Sequence, residues 1–113
     1  MDVTNLIERL EAFEERMGVR LEALFADWDN NGFKPPSTFL KLNGELHTRE
    51  GNKIQQNISL VVDIYDGAGR LVGRNDQSFY AENFFGFETF QIEQLLEVPK
   101  LTISKIRLYP KQH

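Results

Sequence analysis

Cysteine is absent from this sequence, and histidine occurs only at His47 and His113. Without thiols there is no disulfide framework and no cysteine nucleophile. With two His and no Cys, a zinc site would need carboxylates for its remaining ligands, and His47 reads as a hydrogen-bonded surface side chain. No apolar run approaches the roughly 18 residues of a membrane span, and the opening MDVTNLIERLEAFEER holds no apolar signal segment. A cytoplasmic protein without a membrane partner is the expectation. There is no P-loop and no GxSxG, and Gly67-Ala68-Gly69 is too short for a dinucleotide fingerprint. Ser37, Ser59, Ser78 and Ser104 stand in ordinary strand or turn contexts, with no base and orienting acid beside them. A reaction at His47 would need a concave site holding that residue and a carboxylate. The expectation is no enzyme and no cofactor.

What is present fits a small globular domain. The chain has 113 residues, enough for one domain, 1–113. Its 41% hydrophobic and 27% charged content excludes a disordered chain, and nine Phe supply bulk for a core. The net charge of −4 sits in the first 28 residues, where seven acids face three Arg. The remainder is neutral. An acidic face repels phosphate, which argues against nucleic acid.

Leu6, Leu10, Phe13, Met17, Leu21, Leu24 and Trp28 recur at steps of three and four. That spacing predicts an amphipathic helix from residue 4 to about 26, with 1–28 as an N-terminal helical segment. Thr4 is its candidate N-cap, and Gly18 lies inside it. After Pro35-Pro36 the pattern turns to alternation, and 37–110 reads as β-structure. Five strands are expected: Thr38–His47, Ile58–Asp66, Arg70–Tyr80, Phe84–Glu93 and Leu101–Tyr109, the last stopped by Pro110. Asp66-Gly67-Ala68-Gly69 is a tight hairpin turn, and Gly73 with Asn75 marks a candidate bulge. The fold class is mainly β, with a helix followed by an antiparallel sheet or small sandwich.

The stretch VDIYDGAGRLVG, Val62 to Gly73, resembles the centre of FxLYD-type bacterial β-sandwich domains. Tyr65, Asp66, Gly69 and Val72 match that motif, while Val62 and Ile64 replace its Phe and Leu. The resemblance implies an immunoglobulin-like sandwich and no enzymatic activity. The physical reading beside it has Asp66 accepting hydrogen bonds in the turn.

Two stretches carry candidate chemistry. In DWDNNGFKPP, Asp27, Asp29, Asn31 and Gly32 fit the opening of an EF-hand loop. Thr38 stands where the closing bidentate Glu belongs, so the alternative is a plain terminating turn. A calcium-binding module using Asp27, Asp29 and Asn31 is one reading. The second stretch is Phe84-Phe85-Gly86-Phe87, where Phe84 and Phe85 cannot both face one core. An exposed member marks a binding surface. The leading reading is a non-enzymatic interaction or scaffold domain that meets a protein partner or its own copy. Its surface would be the stripe Leu10, Phe13, Met17 and Leu21, or the edge Phe84, Phe85 and Phe87. A five-stranded aromatic domain also admits an OB-like nucleic-acid binder, with Arg49, Lys53, Arg70, Arg74, Lys105 and Arg107 as phosphate contacts.

Overall fold

Alternation of apolar and polar residues dominates the chain, and strands form wherever it runs unbroken. The computed structural model describes residues 1–29, 34, 37–99 and 102–113. Among these are seven strands: β1 (Ile7–Arg9), β2 (Val19–Asp29), β3 (Thr38–Thr48), β4 (Ile58–Asp66), β5 (Leu71–Phe79), β6 (Phe87–Leu96) and β7 (Ile103–Gln112). One sheet has the order β1-β7-β4-β5 and the other β2-β3-β6. The fold is a β-sandwich. All strand pairs are antiparallel except β1 with β7, which is parallel. Leu40, Leu42, Leu46 and Ile92 of one sheet and Leu60, Val62, Ile64, Ile106 and Leu108 of the other form the core between them.

The long N-terminal helix does not form. The only α-helix among the described residues is α1, Glu11–Met17. Gly18 ends it in left-handed backbone at φ +73°, its N–H donating to the carbonyls of Glu14 and Glu15. That is a helix C-cap, where glycine is favoured. Beyond it Val19, Leu21, Ala26 and Trp28 alternate into the core as β2. The helical spacing from Leu21 to Leu24 comes from a bulge. The pairing with β3 shifts register between Glu22 and Phe25, and Ala23 has φ +55°. One extra residue puts side chains three apart on the same face. Thr4 sits in a short 3-10 turn, and its hydroxyl accepts the Ala26 N–H at 3.0 Å rather than capping a helix.

Other boundaries also move. Seven strands replace five, because β1 and β2 come from the segment read as helix. The strand expected from Phe84 begins at Phe87 and runs through Leu96, while Phe84 itself is buried against Phe79. Pro110 lies inside β7 opposite Leu60 instead of stopping it. It is tolerated there because β1 pairs only with Ile106 to Leu108, leaving the outer edge of β7 free of a strand at Pro110. The bulge in β5 falls where Ile64 pairs with Gly73 and Tyr65 with Leu71.

One buried carboxylate holds the N-terminal elements to the sandwich. Glu14 is fully buried. Arg9 of β1 donates Nε to its Oε2 at 3.0 Å and Nη2 to its Oε1. The Leu21 N–H on the edge of β2 donates to the same carboxylate at 3.0 Å. Glu14 thereby joins β1, α1 and β2. Glu14→Ala should lower unfolding stability by about 3 kcal/mol, because it strands the Arg9 charge and an edge N–H. Glu14→Gln should cost less. Urea unfolding checks this; a loss below about 1 kcal/mol for Glu14→Ala contradicts the role.

Candidate functional site

The register of β2, β3 and β6 sets out the outer face of the three-stranded sheet. Side chains opposite one another form cross-strand rows. Arg20, His47 and Phe87 make one row; Glu22, Glu45 and Thr89 make the next; beyond the bulge come Phe25, Asn43 and Gln91. The His47 ring lies parallel to Phe87 with centroids 4.9 Å apart. His47 Nε2 is 2.9 Å from Glu45 Oε1 and 3.4 Å from Glu22 Oε2. Arg20 Nε donates to Glu22 Oε2 at 2.9 Å and Nη1 to the Thr48 carbonyl at 3.1 Å. This is a polar network of Arg20, His47, Glu22 and Glu45 with an aromatic stack on one side.

Between the second and third rows lies a shallow trough of about 370 Å³. Ala23 of the bulge and Gly44 of β3 lie in its lining. Gly44 of β3 carries no side chain, and its backbone forms part of the floor. A Cβ there would meet Phe90 Cζ at 2.6 Å and Leu24 Cδ2 at 2.7 Å. Asn43, Glu45, Thr89 and Gln91 form the walls, and Gln77 of β5 closes one end. Gln91 Nε2 donates to Glu93 Oε1. His47 does not line the trough, but its partner Glu45 does.

A second exposed feature lies where the connection 49–57 meets 80–86. Gly86 N–H donates to the Asn52 carbonyl, and Thr48 N–H to the Gly86 carbonyl. This holds Phe85 outward, 68% exposed, with Lys53 Nζ 5.6 Å from its ring centroid. Phe87 is 50% exposed beside it, and Tyr80 is also exposed. Tyr80 leans on His113, whose N–H donates to Asn57.

The residues singled out from sequence scatter. Asp27 lies on the outer face of β2, its Oδ1 accepting from the N-terminal ammonium of Met1 at 2.9 Å. Asp29 ends β2, and Asn31 lies outside the described residues. An EF-hand loop follows a helix; here Asp27 and Asp29 belong to a strand. Among the described residues no three His, Asp or Glu side chains are arranged to hold a metal ion. Leu21 and Phe84 are buried in the core and take no part in a surface. Leu10 and Met17 are half-buried, and Phe13 packs edge-on against Tyr109. Of the named apolar residues, Phe85 and Phe87 are exposed. Of the basic residues, Arg70, Arg74, Lys105 and Arg107 are paired with Asp66, Asp63 and Glu8, so they form no open phosphate-binding stripe. The polar trough went unnoticed, although alternation through NGELH and FETFQIE already placed Asn43, Glu45, Thr89 and Gln91 on one face.

No family model matches the chain, and no curated protein matches it. Among solved structures it is similar to one described as "putative beta-galactosidase from bacteroides fragilis", at 14% identity and a TM-score of 0.50. The match covers 85% of this chain and 16% of that protein, so the chain spans about a sixth of its length. The likeness is one of fold.

The outer face of the four-stranded sheet carries the other charged cluster. Asp63 of β4 is 2% exposed. Arg74 donates to both its oxygens, at 2.5 and 3.2 Å, and the Tyr109 hydroxyl donates to Oδ2 at 2.9 Å. Burial acts to raise the Asp63 pKa, but the Arg74 and Tyr109 hydrogen bonds outweigh it and hold the carboxyl below its usual range. Glu8 is lowered by its bond from Arg107, and Asp66 by the Arg70 backbone N–H. A carboxylate whose pKa is lower folded than unfolded contributes fully above the unfolded value of about 4, and its contribution fades as pH falls through the folded value. The melting temperature should therefore drop on acidification below about pH 4. Asp63→Asn should lower it at neutral pH and flatten the acid limb. Thermal melts across the acid range check this; an unchanged acid limb in Asp63→Asn would rule Asp63 out as a contributor.

Proposed function

We propose that this chain is a non-enzymatic interaction domain on an immunoglobulin-like scaffold, and that it pairs with a second copy through its Phe85–Phe87 end. The observation that carries this reading is the outward Phe85, 68% exposed, held by backbone hydrogen bonds beside half-exposed Phe87. Large apolar groups gathered at one end of a small domain serve association.

Charge supports a self-complementary contact. The two segments that frame Phe85 carry Arg49 and Lys53 against Glu50 and Glu82, a neutral balance. A two-fold contact places the same patch on both copies, and a patch of one sign would repel itself. Here Lys53 of one copy can face Glu50 or Glu82 of the other. The Arg49 guanidinium donates to the Val19 carbonyl at 2.7 Å and stiffens the base of this end.

Light scattering after size exclusion should give a dimer mass that falls toward the monomer on dilution. Phe85→Asp should give a folded monomer at every concentration, with a melting temperature matching that of the natural sequence diluted to monomer, since Phe85 is 68% exposed and lies outside the core cluster. A monomer throughout for the natural sequence, or a dimer indifferent to Phe85→Asp and Phe87→Ala, overturns the reading. Runs in EDTA and in calcium should coincide. A mass that changes only with calcium would instead favour the Asp27 and Asp29 reading.

A further inference from the structure

We infer that the trough over Gly44 is a binding site for an uncharged carbohydrate, a ligand independent of the Phe85–Phe87 contact. Its volume of about 370 Å³ lies at the low end of the range for small-molecule sites.

The walls offer paired donors and acceptors. Asn43, Gln77 and Gln91 each present an amide, with a carbonyl acceptor and an NH2 donor, and Thr89 presents a hydroxyl. Among the described residues the side chains of Asn43, Gln77 and Thr89 make no hydrogen bond to protein, so their capacity is free for a ligand. A sugar hydroxyl both donates and accepts. A ring bearing several neighbouring hydroxyls matches several amides drawn from three strands.

The walls withhold cations. No Lys or Arg lines the trough, and its single charge is the Glu45 carboxylate. An anion such as a phosphate group would meet that charge with nothing to offset it. A simple cation finds one carboxylate already hydrogen-bonded to His47 at 2.9 Å. The remaining fit is a neutral polar ligand. Flanking the trough is Phe25, in the row of Asn43 and 45% exposed. A sugar ring carries an apolar C–H face as well as hydroxyls, and this ring supplies apolar surface beside the polar floor.

The test is an amide-detected NMR titration of the full chain with four neutral disaccharides: maltose, cellobiose, lactose and xylobiose. The expected result is a saturable shift with at least one of them. It should be confined to the Asn43, Gln77 and Gln91 side-chain amides and the Gly44 and Phe90 backbone N–H groups. Asn43→Ala and Gln91→Ala should each weaken binding about tenfold with spectra otherwise folded. Phe85→Asp should bind as the natural sequence does, which separates this site from the association surface. No saturable shift with any of the four sugars overturns the inference. So do shifts elsewhere on the surface, or equal shifts with inorganic phosphate or an unmodified peptide.

Discussion

Leu24 and Phe90 meet in the space that a side chain at Gly44 would fill, and the three-stranded sheet depends on that approach. A methyl group there would stand 2.6 Å from Phe90 and 2.7 Å from Leu24. The bulge at Ala23 and Leu24 exists to deliver Leu24 into this gap. It costs a left-handed backbone at Ala23, a strain of order 1 kcal/mol for a residue with a Cβ. Packing half-buried Leu24 against Gly44 and Phe90 offsets it by about 1 kcal/mol, part of what a fully buried Leu contributes. Leu24 and Phe90 fill the inner side at Gly44, while Ala23 and Gly44 line the trough.

The second demand on this sheet is its edge. β2 would present a row of open N–H and C=O groups on the side away from β3, a template for unwanted pairing. The N-terminal residues close it. Val3 N–H donates to the Ala26 carbonyl at 2.8 Å, Trp28 N–H donates to the Met1 carbonyl at 3.0 Å, and the Thr4 hydroxyl takes the Ala26 N–H. Further along, the Glu14 carboxylate takes the Leu21 N–H. A seven-residue helix has no stability of its own. Here α1 is held because it brings one carboxylate to an edge that needs an acceptor and to an arginine that needs a partner.

These demands explain which parts of the fold were legible. Ile58–Asp66 reads as a strand because six of its nine residues are apolar or aromatic and four of those are β-branched, and the strand has those bounds. Thr38 through His47 reads equally well, since Leu40, Leu42 and Leu46 alternate cleanly around Gly44. The N-terminal segment misleads because two strands and a turn of helix, joined by a glycine cap and a bulge, reproduce three-and-four spacing by accident. Gly18 was the available signal: a glycine after EERM ends a helix more naturally than it interrupts one. The site was half legible. Adjacency of Phe84 and Phe85 forces one of them outward, but only the buried contact with Phe79 decides that it is Phe85. The trough needs the register of three strands at once, which no single stretch contains.

The two outer faces of the sandwich differ in the property that separates support from recognition. On the four-stranded sheet most of the ionic side chains are paired. Asp63 holds Arg74 and Tyr109, Glu8 holds Arg107, and the Tyr65 ring lies near Arg107 and Lys105. A ligand there would have to break charge-assisted bonds before making its own. On the three-stranded sheet Arg20 and His47 face Glu22 and Glu45, while, among the described residues, the Asn43 amide and Thr89 hydroxyl, and the Gln77 amide of β5 beside them, have no protein partner. Groups that hydrogen-bond only to water exchange that water for a ligand hydroxyl at little net cost. Binding capacity on this domain therefore follows from unspent neutral donors and acceptors over a glycine. The bulge in β2 sets Leu24 against Gly44 on the inner side and leaves the small Ala23 in the trough lining beside those groups.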